Sequence, residues 1–316
     1  MPTPVFLTVD TELMWRHHAA GLAADEVVAR SLEPAGVGVA HQLAVLAAHG
    51  LKAIFFVDPM PALVYGMAPF ARVVAAILSA GQEVQLHLHP NWTGARLDDR
   101  TAHARFELIE YSVEEQRALI AGARDLLVAA GAPAPVAFRA GSYAANDDTL
   151  AALTALGIAY DSSHNGAHAP WPSQIGLPPR AIAPVARNGV IEVPVTLVEG
   201  VDGLRNVQLC ALSSGEMRAA LDHAAREGHA AVTIVSHGFE LANRSATRAN
   251  GVHLRRFEAL CGMLAGRADV LPTTHFADRP ALALGQDDAP LAMGMLRTRW
   301  RQAEQLWSNL VEERAA

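Results

Sequence analysis

Short apolar runs that end in ionisable residues, each followed by a helical pattern, recur along almost the whole chain and constrain its fold more than any other feature. Val5 to Val9 closes on Asp10-Thr11-Glu12, Lys52 to Val57 is a second run, and Glu83 to Leu88 closes on His89-Pro90. Pro135 to Phe138 leads into Arg139, a fifth run ends at Asp161, Val190 to Leu197 surrounds Glu192, and Ala231 to Val235 ends in Ser236-His237-Gly238. Val270 to Thr274 is a last short strand. Between them lie helical stretches at Gly36 to Ala48, closed by Gly50, at Pro69 to Ala80, at Val113 to Ala130, from Asn146 or Asp147 to Leu156, at Ser214 to Arg226 and at Val252 to Leu264. Strand and helix alternate about seven times, the signature of a parallel (β/α) barrel or an open doubly wound sheet. No glycine-rich phosphate loop follows the first strand, which favours the barrel. Met14 to Pro34 lacks periodicity and reads as a loop over the strand ends, and Asn91 to Ser112 as a substrate-facing loop.

The chemistry-bearing residues gather just past strand ends. His87 and His89 sit two apart at the carboxyl end of a strand stopped by Pro90, so they point the same way. Two imidazoles make half of a metal site, and Asp10 or Glu12 offers the carboxylate that a divalent ion such as zinc accepts beside nitrogen. Strand spacing also puts Asp10 and Glu12 on one side.

Other functions are disfavoured by composition. A formal net charge of -7, with no basic stretch interleaved with aromatics, argues against nucleic acid. Two cysteines, Cys210 and Cys261, make neither a disulfide framework nor a thiolate zinc site. No apolar run reaches ~18 residues and no signal-peptide pattern precedes the first strand, so no membrane span and a cytoplasmic location are expected.

Asp10-Thr11-Glu12, His87-Leu88-His89, Phe138-Arg139-Ala140-Gly141-Ser142-Tyr143, Tyr160-Asp161-Ser162-Ser163 and Val235-Ser236-His237-Gly238 resemble, in order, the five motifs of the polysaccharide deacetylases, the NodB-homology or carbohydrate esterase family 4. The resemblance spans roughly residues 4 to 276. It implies a distorted (β/α) barrel of seven or eight strands that binds one divalent metal, zinc foremost, through a carboxylate and two histidines. In that family adjacent aspartates serve as base and ligand, and three residues separate the histidines. Here Thr11 separates Asp10 from Glu12, and Leu88 alone separates His87 from His89. The carry-over makes Asp10 the catalytic base or a ligand, Glu12, His87 and His89 ligands, and Arg139 the partner of the catalytic carboxylate. Asp161 orients His237, which protonates the leaving group, and Tyr143 and Trp92 line the sugar site.

The implied activity is removal of an acyl group, N-acetyl foremost, from an amino sugar or precursor in surface-polysaccharide metabolism. A deformylase or other amide hydrolase on the same fold, and a metal-free barrel that only binds, are the alternatives. Residues 1–278 form the expected catalytic barrel and 279–290 a linker. Residues 291–316 carry Leu296, Trp300, Ala303, Trp307 and Leu310 at helical spacing, a final amphipathic helix that packs on the barrel or on a second copy in a homodimer.

Overall fold

The computed structural model describes residues 2–313. Strand β1 (Val5–Thr11) is followed by α1 (Trp15–Ala19), α2 (Ala24–Leu32) and α3 (Val39–His49), and β2 (Ile54–Val57) by α4 (Ala62–Tyr65) and α5 (Ala68–Ser79). Next come β3 (Glu83–Leu88) with α6 (Val113–Ala129), β4 (Ala137–Ala140) with α7 (Asp147–Ala155), β5 (Tyr160–Asp161), and the hairpin of β6 (Val185–Arg187) and β7 (Val190–Glu192). A second hairpin, β8 (Leu197–Gly200) and β9 (Gly203–Asn206), precedes α8 (Ser214–Glu227), β10 (Val232–His237), α9 (Gly251–Ala265), β11 (Leu291–Ala292) and α10 (Met295–Trp307).

Eight strands form one mixed sheet in the order β10-β1-β2-β3-β4-β5-β7-β6, parallel except for β6 against β7. Arg139 on β4 reaches Asp10 on β1 at 2.7 Å, although two strands lie between. In a flat sheet those strands stand about 14 Å apart, so the sheet is curled into a distorted barrel. Among the described residues no ladder joins β6 to β10. The free edge of β10 is instead covered by the segment around β8 and β9: Thr196 N–H donates to Thr233 O (3.2 Å), and Val235 N–H to Val207 O (3.0 Å).

Period-two alternation sorts the side chains. Val5, Leu7 and Val9 pack outward under the helices, whereas Phe6 joins Ile54, Phe56, Ala137 and Phe276 in a separate interior cluster. Phe276 stacks on Phe6 at 4.4 Å and floors the barrel. Glu83 holds that floor in place, accepting from the N–H groups of Phe276 (2.8 Å) and Ala277 (2.7 Å).

Several expectations need correction. The loop expected over Met14 to Pro34 holds α1 and α2. In the latter, Val27 and Leu32 are buried and Glu26 pairs with Arg30 one turn on. The strand expected from Val190 to Leu197 breaks at Pro194, which lacks an N–H, into β7 of the main sheet and β8 of a small sheet ordered β11-β8-β9. Val270 to Thr274 is an extended flank, bonded to Thr3 and Val5 below the point where β2 begins to pair with β1. The segment expected as a linker crosses the body, with Gly285 N–H on Pro184 O and Asp288 accepting from Ala230 N–H, both at 2.8 Å.

Candidate metal centre and active site

The inward positions of β3 run Glu83, Gln85, His87, and the backbone at His89 stays extended (φ -111°, ψ 109°), so both rings emerge on the inner side of the barrel mouth. Glu12 meets them from just beyond β1. Its Oε2 lies 2.5 Å from His89 Nε2 and 3.6 Å from His87 Nε2, and one ligand atom from each residue falls within 4.8 Å of the others.

Second contacts orient these groups. His87 Nδ1 lies 2.8 Å from the Arg139 carbonyl. Since a carbonyl only accepts, Nδ1 carries the hydrogen, and in the neutral ring Nε2 keeps its lone pair toward Glu12. The His89 ring lies against Gly141, where a Cβ would come within 2.4 Å of Nδ1. Burial opposes charge on Glu12 and His89 alike, but each sustains the other. His89, helped by His87, holds the Glu12 carboxyl well below its ordinary range, and Glu12 pushes His89 up to about 9. Asp58, just past β2, is fully buried with Oδ2 unpartnered. Burial raises it to about 6 against the pull of His89 and His87.

Two imidazole Nε2 atoms and one carboxylate form a set that divalent ions take. The 3.6 Å between His87 and Glu12 is near the roughly 3.3 Å that separates tetrahedral ligands about 2.0–2.1 Å from an ion. The residues therefore fit a metal ion, which would displace the His89 proton that now bonds Glu12.

Asp10 stands apart from this trio, so the expectation of Asp10 as a ligand is corrected. Its Oδ1 accepts from Arg139 Nη1 at 2.7 Å, and its Oδ2 lies 3.7 Å from His237 Nε2. Arg139 is wholly buried, bonded also to Thr8 Oγ1 (2.7 Å) and Ser162 O (3.0 Å) and seated over the Phe56 ring. The carboxylate on His237 Nδ1 is Glu240 Oε1 at 2.8 Å, not Asp161. Burial works against the imidazolium, yet Glu240, followed by Asp10, raises His237 to about 9. Gln208 Nε2 donates to the same Glu240 Oε1.

Asp161 is corrected for a reason of register: it points into a closed space shared with Glu192. There Ser163 Oγ donates to its Oδ1 at 2.7 Å, and burial raises both carboxyls, Glu192 well above its ordinary value. Trp92 is corrected too. It is 1% exposed, in edge contact with Trp15 at 5.0 Å, and so presents no face to a sugar. Tyr143 does reach the mouth, on a turn whose Ser142 and Tyr143 have φ of 54° and 60°. Its hydroxyl is buried without a partner. Asp10, Glu12, His87, His89, Tyr143 and His237 all line one cavity of about 160 Å³.

Sequence reasoning missed Glu240, Asp58 and Gly141. The signal for Asp58 was present, a carboxylate directly after an apolar strand as at Asp10. Glu240 is brought back to His237 only by the turn after β10.

Among solved structures, one from Mycobacterium smegmatis described as a candidate polysaccharide deacetylase superposes with a TM-score of 0.58, at 18% identity over 91% of this chain and 95% of that one. The chain has the polysaccharide deacetylase fold. A family 4 carbohydrate esterase from Streptomyces lividans, in complex with acetate, is also similar, with a TM-score of 0.46 at 15% identity over 91% of this chain and 98% of that one. So is a CE4-family pseudoenzyme from Bacillus anthracis, with a TM-score of 0.45 at 13% identity over 88% of this chain and 65% of that one. No family model matches the sequence, and no curated protein does. Within the polysaccharide deacetylase fold, this chain sets one histidine on the last inward position of a strand and the other two residues on, in the extended backbone just past it, and Gly141 leaves the space for the second ring.

Proposed function

We propose that the protein is a metal-dependent hydrolase that removes a small acyl group, N-acetyl foremost, from an amino sugar or sugar precursor in surface-polysaccharide metabolism. The observation that carries this reading is one small mouth holding both a Glu12-His87-His89 ligand set and, beside it, an Arg139-bound carboxylate facing a Glu240-bound imidazole. At about 160 Å³, room for roughly five waters, the cavity suits a short acyl group rather than a long chain. A divalent ion on Glu12, His87 and His89, with zinc proposed for its taste for mixed nitrogen and oxygen ligands, would polarise the acyl carbonyl and acidify water.

The chain's own residues supply the proton transfers. Asp10, fixed by Arg139, accepts a proton from the attacking water as its oxygen bonds to the acyl carbon. His237 Nε2–H delivers a proton to the amine nitrogen as the carbon–nitrogen bond breaks, leaving acetate and a free amine. The 3.7 Å between Asp10 and His237 lets the proton taken up at one restore the other. Tyr143 offers its buried hydroxyl to a substrate oxygen.

The test is acetate and formate release from N-acetylated and N-formylated sugars and from non-sugar amides, with chelated and zinc-reloaded protein. Acetate release that needs the ion and falls at least about 100-fold in Asp10→Asn and His237→Ala is the expected result. Formate release alone transfers the chain to the deformylases. A bound ion without hydrolysis of any amide leaves only a binding barrel and sinks the proposal.

A further inference from the structure

Helix α10 is docked by its polar side. Thr298 is its buried residue and Ser308, just past its end, is buried too; Glu304 pairs with Arg256 at 3.0 Å, Arg301 lies 3.8 Å from Glu216, and Asn250 Nδ2 donates to Ser308 Oγ at 3.0 Å. Arg248 adds a bond to the Glu312 carbonyl at 2.8 Å. These contacts pin the helix's rotation and turn its apolar side to solvent: Leu296 is 86% exposed, Trp300 65% and Trp307 58%, with Met295, Leu306 and Leu310 also exposed. Such side chains together expose on the order of 800 Å², more than monomers usually show in one patch and about one partner's share of a standard interface.

The pattern on that face selects its occupant. Leu296, Trp300, Ala303, Trp307 and Leu310 follow one another at gaps of four, three, four and three, the seam spacing of paired helices. The wider exposed face, seam and flanking residues together, can also be paired with itself about Ala303. Leu296 and Leu310 stand seven residues to either side, Trp300 and Leu306 three, Arg299 and Trp307 four, and Met295 and Val311 eight. A two-fold axis through Ala303 therefore sets leucine on leucine, Trp300 of one copy on Leu306 of the other, and the Arg299 guanidinium over the Trp307 ring. The small alanine at the crossing lets the backbones approach. Beside it, Trp300, Ala303 and Trp307 wall a groove of about 510 Å³ against Val252, Arg255 and Ala259 of α9, a seat for the second helix's flanking side chains.

We propose that α10 is a self-association helix that joins two copies of this chain in an antiparallel pair crossing at Ala303. Sedimentation of the full chain from about 1 to about 100 μM tests it. A dimer is expected, and Ala303→Arg, which sets like charges face to face at an exposed position, raises the monomer fraction at least about tenfold with the far-ultraviolet circular dichroism and zinc binding unchanged. Ala303→Cys tests the geometry: oxidation links the two copies, whose Cβ atoms meet at the crossing. A chain that stays monomeric at the highest concentration overturns the proposal, and more so if it co-sediments with phosphatidylglycerol vesicles, which would make the face a lipid contact. A dimer indifferent to both substitutions overturns it equally.

Discussion

Gly141 is the residue on which the metal centre has least latitude. A methyl group there meets His89 Nδ1 at 2.4 Å, and the ring's other nitrogen is committed to Glu12. Gly141→Ala is expected to swing the imidazole away and weaken divalent-ion binding by about 10- to 100-fold. Titration calorimetry on the folded variant checks this, and wild-type affinity would show that the ring has another place to go. Glu240 governs proton delivery instead. Its negative charge favours the imidazolium of His237, raised to about 9, so Glu240→Gln lowers that value and the acid form is lost earlier as pH rises. The alkaline limb of the kcat/KM profile should move down by about one pH unit or more. An unmoved limb would assign it to another group.

The carboxyl pair between β5 and β7 sets a pH dependence on those two strands. Burial and Asp161 raise Glu192 well above its ordinary value, so the folded state keeps a proton that the unfolded chain releases above about pH 4.3. Folded stability therefore declines as pH rises from that point. Glu192→Gln can accept from the His164 N–H as Glu192 does, at 2.9 Å, and removes the titration, so its thermal midpoint should gain on wild type progressively from about pH 5 to pH 8. A constant difference would mean that the pair holds no shared proton. At this scale the sequence was legible where punctuation was strong. Gly81 and Pro90 bracket β3, which spans the residues its alternation marks out, and Gly50, at φ 63°, ends α3. Legibility failed where elements are short: α1 has five residues with His17 and His18 buried, and β5 keeps two. The site divides likewise. Asp10, Glu12, His87, His89, Arg139 and His237 declare themselves at or near strand ends and line or support one mouth. Asp161 and Glu240 exchange places because the curl of the sheet, invisible in one dimension, decides which carboxylate reaches His237.

For the molecule as a whole, the barrel depends on a floor that the expected strand order did not contain. Phe276 is wholly buried on Phe6, with Tyr160 and Phe56 around it. Phe276→Ala should cost about 3–5 kcal/mol, read from the urea midpoint, because the barrel wall cannot collapse onto the void. A cost under about 1 kcal/mol would show the floor to be dispensable. The floor is tied to the same strand that ends in the ligand histidines, since Glu83 grips the Phe276 backbone at one end of β3 while His87 faces Glu12 at the other. Deleting one residue inside that strand would reverse the facing of everything on one side of the cut. Either the anchor below or both rings above would then turn outward to the helices. A change in length leaves both ends of β3 facing inward only if it falls in the turn before Glu83 or the excursion after Pro90, and altering the spacing of the two histidines means rebuilding the mouth.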